Sequence, residues 1–99
     1  MLVLDTNNEY NCQLYLRECK SNRLKSLLLE FWCRHPHAKL TKEAICYALE
    51  SSRKDNLEAL NQLVVMGILN TTIVNDIVLY SLSENEGIRQ KVYMAFGLH

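Results

Sequence analysis

The hydrophobic period of this chain changes at Gly67, and that change restricts the fold more than any other feature. Before it, Leu57, Leu60, Leu63 and Val64 recur at helical spacing; after it, Ile68 to Val74 and Ile77 to Leu82 are runs rich in β-branched and aromatic residues. Asn75 and Asp76 separate the two runs, a two-residue loop of the kind that closes a β-hairpin because both side chains tolerate positive φ. Gly67 suits the left-handed position that ends a helix. A helix that runs directly into one hairpin cannot bury a core alone. The rest of the chain must supply it, and with 99 residues there is room for a single compact domain.

The upstream sequence supplies helices. From Arg23 to Arg34 the set Leu24, Leu27, Leu28 and Phe31 follows i, i+3, i+4, i+7, with Ser21 or Asn22 as N-cap and Pro36 forbidding continuation. After the link through His37 and Leu40, Thr41 caps a second helix to about Leu49, whose inner face is read as Ala44, Ile45, Ala48 and Leu49. Ser52 and Asp55 have capping-box spacing and open a third helix with Leu57, Leu60, Leu63 and Val64 inward. Ser83 and Glu86 repeat that spacing before a final helix with Ile88, Val92 and Ala95 on one face. Leu14, Tyr15, Leu16 and Cys19 suit a further helix near the start, preceded by an irregular Met1 to Asn8.

The predicted class is therefore mainly α with a small β-hairpin (α+β), ordered helix, extended link, helix, turn, helix, hairpin. The stretches Leu40-Thr-Lys-Glu-Ala-Ile, Leu57 to Leu69 and Val78 to Ser83 resemble the winged helix-turn-helix regulators of the arsenical-repressor and multiple-antibiotic-resistance types. Leu60, Leu63, Gly67, Ile68 and Leu69 match the run that ends their third helix, and Tyr80 and Leu82 match the outgoing wing strand. The resemblance covers roughly residues 22–83, within a single domain 1–99 that has an N-terminal extension (1–20) and a C-terminal helix (84–97). These positions are mostly core and turn, so they specify fold better than function.

The resemblance implies double-stranded DNA as partner and the third helix as the one that enters the major groove, with Ser52, Arg53, Lys54 and Asn56 foremost. Arg53 would fork onto guanine and Asn56 onto adenine, while Thr41 and Lys42 would meet phosphate at the start of the second helix. Two departures stand out. The outward face of the third helix, read as Lys54, Asp55, Glu58, Asn61 and Gln62, turns two carboxylates toward DNA. The wing has no basic residue between Asn70 and Ser83 and carries Asp76 at its tip.

Charge sharpens the same question. Lys+Arg and Asp+Glu balance at 11 each, which by itself disfavours a polyanion as partner. The balance hides a polarity: residues 1–16 carry −2, residues 17–42 carry +5 and residues 43–99 carry −3. Other classes fall away more simply. The longest apolar runs are far below the roughly 18 to 20 residues of a membrane span, and the start lacks a basic and apolar leader, so the expected compartment is the cytoplasm. No triad, carboxylate pair or glycine-rich phosphate loop points to an enzyme or a cofactor. Cys33, His35 and His37 have metal-ligand chemistry, but alternate positions around a proline face different ways, and the second helix offers only Cys46 where metal-sensing relatives use a Cys-x-Cys pair. No metal is expected.

Apolar residues outside the stripes point to self-association. Leu29 and Trp32 on the first helix, Met94, Phe96 and Leu98 on the last, and Cys12 and Cys19 on a shared buried or dimer face predict a homodimer through the N- and C-terminal helices. Two functions follow: a dimeric DNA-binding transcriptional regulator, or a winged helix used as a protein-interaction module, the second motivated by the neutral total, Asp55, Glu58 and the wing's lack of a basic residue.

Overall fold

The computed structural model describes residues 12–49 and 52–97. Helix α1 occupies residues 12–19, followed by α2 (Arg23–Arg34), α3 (Lys42–Leu49), α4 (Arg53–Val65), the strands β1 (Leu69–Val74) and β2 (Ile77–Leu82), and α5 (Glu86–Phe96). The expectations for Met1 to Asn8 and for Leu98 lie outside the described residues.

Local chemistry sets the helix ends. Of the two candidate caps, Asn22 is the one at α2: its side-chain oxygen accepts the Lys25 N–H at 3.0 Å, while the Ser21 hydroxyl donates to the Glu18 carbonyl at the close of α1. At the end of α4 the Gly67 N–H donates to the Val64 carbonyl and the Ile68 N–H to the Leu63 carbonyl, the paired bonds of a Schellman turn, with Gly67 at φ +78°. Asn75 and Asp76 both take positive φ, 50° and 66°, which gives the type I′ turn that the twist of a two-residue hairpin demands. β1 and β2 pair antiparallel in unbroken register from Leu69 opposite Leu82 to Val74 opposite Ile77. Leu40, in the link before α3, exchanges both backbone hydrogen bonds with Tyr80 and so extends the far edge of β2 by one residue.

One core joins every element. Leu28, Leu29 and Trp32 of α2 meet Ile45, Leu60, Leu63, Leu82 and Val92, with Cys12, Leu16 and Cys19 of α1 on the same cluster. The Trp32 indole N–H donates to the Ala38 carbonyl at 3.0 Å, so its one polar atom is partnered inside the core and also pins the α2–α3 link.

Several sequence expectations are corrected. Leu29 and Trp32 are fully buried and offer nothing to a partner surface; α2 is covered by α4 on one side and α5 on another, so its apolar perimeter is consumed within the chain. On α3 the inward residue is Ile45, flanked by half-buried Cys46 and Leu49, while Ala44 and Ala48 face solvent; a methyl group loses little there. The buried stripe of α4 is Asn56, Ala59, Leu60 and Leu63, rotated from the all-apolar stripe, with Leu57 and Val64 half-buried. Helix α5 is capped by Asn85, whose side chain accepts the Ile88 N–H, rather than by Ser83. Ser83 is buried, its N–H donates to the Ile68 carbonyl, and its hydroxyl accepts from the Asn85 N–H, so it closes the wing instead.

Candidate nucleic-acid interface

The six sequence-selected residues divide into three kinds. Thr41 and Ser52 are N-caps: the Thr41 hydroxyl oxygen accepts the Ala44 N–H and the Ser52 hydroxyl oxygen the Asp55 N–H, each at 3.1 Å. Each hydroxyl keeps its own proton to donate outward, and each sits where unpaired backbone N–H groups and the helix dipole favour an anion. Lys42 begins α3, half-buried; Arg53 begins α4, and Lys54 follows it, exposed. Asn56 is of a third kind, with no exposed surface at all. Its side-chain N–H₂ donates to the Cys46 sulfur at 3.3 Å and to the Ser52 carbonyl at 3.0 Å. The expected contact of Asn56 with adenine is therefore corrected: its amide is spent inside the α3–α4 elbow.

Electrostatics at this surface differ from the sequence reading in one respect. Asp55, Glu58 and Gln62 are exposed, but all three line a groove shared with Asn22, Leu24 and Lys25 at the start of α2. At about 100° per residue, the direction opposite the buried stripe belongs to Lys54 and Val65, with Asn61 and Glu58 about 30° to either side. Asp55 is thus turned toward the side that holds Lys25, whereas Glu58 stays close to the outward direction and keeps its repulsion of phosphate.

The +5 segment does not form a stripe beside α4. Arg17 and Lys20 line a groove between α1 and α5 together with Lys91 and Met94. The Lys20 ammonium lies 5.9 Å from the Phe96 ring centre and that of Lys25 4.9 Å from Tyr15, so both help fasten α1 to the body. Arg23 and Arg34 stand at opposite ends of α2, about 17 Å apart along the axis. Lys39 lies at the base of the hairpin. Asn70 to Val78 are all exposed, with Asp76 the one charge among them; Ile73 is 69% exposed and Ile77 51%.

Cys33, His35 and His37 do not converge. The Cys33 thiol lies 3.6 Å from the Val92 carbonyl, to which it donates, and the His35 ring packs on Phe31 at 4.9 Å. Burial, then the nearby Glu30 carboxylate, pushes the Cys33 thiol above its ordinary pKa, opposite to what a metal-ligating thiolate needs. Among the described residues no group of three His, Cys, Asp or Glu is placed to hold a metal ion, and no helix is long and apolar enough to cross a membrane.

Arg89 was not singled out by sequence. Its guanidinium donates to the Ser83 carbonyl at 2.7 Å, to the Pro36 carbonyl at 3.2 Å and to the Tyr93 hydroxyl at 3.4 Å, tying α5 to the wing base and to the link that precedes α3. The only sequence signal was an arginine in the first turn of a helix, where a cation is unfavourable unless it is otherwise engaged.

No protein-family model and no curated protein matches the sequence. Solved structures do match. HlyU of Vibrio cholerae N16961 superposes with a TM-score of 0.67 at 19% identity, covering 86% of this chain and 89% of that one. The transcriptional regulator HlyU of Vibrio vulnificus CMCP6 gives 0.67 at 18%, covering 95% and 94%. The chain has the winged helix-turn-helix fold of these regulators. A point mutant of Lactococcus lactis ZitR gives 0.56 at 20% identity, covering 73% of this chain; the winged-helix chain spans 46% of ZitR, less than half its length. In winged-helix terms α3 and α4 are the helix-turn-helix, β1 and β2 the wing, and the Leu40–Tyr80 bridge the short strand that seats the wing on the body.

Proposed function

We propose that this winged-helix chain is a DNA-binding transcriptional regulator that acts as a homodimer, with the start of α4 in the major groove. The observation that carries the reading is the pair of capped helix N-termini, Thr41 with Lys42 and Ser52 with Arg53 and Lys54, on the two helices of the helix-turn-helix. Each combines a hydroxyl, free N–H groups and cations, the chemistry that holds a phosphate. The likeness to HlyU, a transcriptional regulator by its description, supports the same reading. Dimerisation through α1 and α5 rests on Met94, 76% exposed, and Leu14, 36% exposed, which are the apolar side chains those helices leave outside the core. Dimerisation also fits the scattered cations: one domain would hold DNA weakly, and a two-fold pair would set two α4 helices one DNA turn apart.

The test is fluorescence anisotropy on a mixed-sequence duplex at low salt. Binding should weaken linearly in log–log against salt, and Arg53→Ala with Lys54→Ala should lower the slope by about 2, one for each cation withdrawn from a phosphate. Absence of salt-dependent binding would remove DNA as the partner. A wing without a basic residue, with Ile73 and Ile77 exposed, favours a second reading in that event, a winged helix that binds protein.

A further inference from the structure

Among the described residues the wing carries an open strand edge. Tyr80 exchanges both of its backbone hydrogen bonds with Leu40, so its N–H and C=O point away from β1. Thr71 lies directly opposite Tyr80, and in an antiparallel ladder its N–H and C=O must then point to the outer edge of β1. Ile73, two residues on, presents its backbone the same way. Among the described residues nothing pairs with this edge. The devices that normally guard one are missing: Leu69–Val74 contains no lysine, no proline and no bulge, and every residue from Asn70 to Val74 is exposed.

We propose that β1 pairs antiparallel with β1 of a second copy, about a two-fold axis through Thr72. In this register Thr71 stands opposite Ile73 of the partner subunit, and the two symmetry-related pairs exchange four main-chain hydrogen bonds through the outward-pointing groups. The occupant is a second copy because the edge complements itself. Thr71 and Ile73 share a side of the sheet, so each isoleucine, 69% exposed in the single chain, is covered by a threonine methyl and its neighbour from the other copy. The register also brings Asp76, the one charge of the hairpin, to the level of Ile68 in the other copy, so the two Asp76 carboxylates stand at opposite ends of the joined sheet and do not repel across the seam. The contact uses neither α1 nor α5, so in a protein that also dimerises through those helices it links dimer to dimer.

Cysteine cross-linking on the full chain tests the register. Thr72→Cys places two thiols across a non-hydrogen-bonded pair on the axis, within disulfide reach, whereas two cysteines from Asn70→Cys are about 13 Å apart along the strands. Under copper phenanthroline, Thr72→Cys should form a disulfide-linked pair that Asn70→Cys and the unsubstituted protein do not. Sedimentation separates the two interfaces. Ile73→Lys, at an exposed position that leaves the fold intact by circular dichroism, should abolish the wing-dependent association step while sparing any step that Met94→Glu removes. Equal cross-linking at positions 70 and 72, or sedimentation of Ile73→Lys indistinguishable from the unsubstituted protein, would overturn the pairing. Loss of association only in Met94→Glu would overturn it as well while leaving the α1/α5 dimer standing.

Discussion

The side-chain amide of Asn56 donates to the sulfur of Cys46 across 3.3 Å, from the first turn of α4 to the middle of α3. It also donates to the Ser52 carbonyl one turn back, so one buried amide fixes both the angle between the two helices and the start of the second. The position of Lys54 relative to Lys42 depends on that elbow. Asn56→Ala should therefore destabilise the protein by about 1–3 kcal/mol, the cost of stripping hydrogen bonds from buried partners. Asn56→Asp should be worse near neutral pH, because a carboxylate can donate to neither acceptor and is buried besides. Urea unfolding midpoints of the two variants check the order; a neutral Asn56→Ala would mean that packing alone sets the elbow.

Arg89 holds three elements with one forked cation, and two of its acceptors, the Ser83 and Pro36 carbonyls, are main-chain groups of different segments. Arg89→Met keeps the side chain's apolar length and loses the charged donors, for an expected cost of about 2–3 kcal/mol. A lysine cannot span carbonyls in different directions, so Arg89→Lys should recover less than half of that. The readout is the thermal midpoint, where each kcal/mol is worth roughly 4–8 °C in a domain of this size. Full recovery by lysine would show that charge, rather than the fork, is what matters.

Helix existence, the hairpin and its turn were legible from Leu24 to Leu82 because each rests on local chemistry: apolar spacing, an N-cap hydroxyl or amide, Gly67 and the Asn75-Asp76 pair. What failed to show was tertiary. The inward stripe of α4 includes a polar residue, Asn56, and a reading that seeks only apolar positions slides past it to Leu57 and Val64. Ser83 and Asn85 are both good capping residues, and the capping-box spacing favours Ser83; the wing decides for Asn85 by drawing Ser83 into a hydrogen bond with Ile68. At the candidate interface the cap residues Thr41 and Ser52 were readable as such. The scatter of the +5 segment was not, since it depends on how α1 and α2 pack.

The turn makes a prediction with opposite signs at one position. Asp76 sits at φ +66°, where glycine has no Cβ to strain and a β-branched residue is an outlier. Asp76→Gly should stabilise by a few tenths to about 1 kcal/mol, and Asp76→Val should destabilise by about 1–2 kcal/mol. Chemical denaturation of the two variants gives both numbers. If valine were tolerated as well as glycine, the type I′ geometry would be wrong.

Two thiols give the protein a predictable response to alkali. Burial is the main force that raises the Cys19 thiol pKa, aided by Glu18 and Cys12 and opposed by Lys25 and the Tyr15 hydroxyl. Cys33 is raised by burial and then by Glu30. In the unfolded chain these thiols ionise near the ordinary value of about 8.5. The folded state holds its protons to higher pH than the unfolded state does, so the unfolded state binds fewer protons once the pH passes that value, and stability must fall. The contribution is fully present below about pH 8.5 and is lost as the pH climbs toward the folded values. The slope is at most about 1.4 kcal/mol per pH unit for each thiol, and less for Cys33, which water partly reaches. Urea midpoints taken from neutral pH to about pH 10 should stay level and then decline, and Cys19→Ala should flatten part of the decline. A midpoint that rises over that range would show that these thiols ionise more readily in the folded protein than in the unfolded chain.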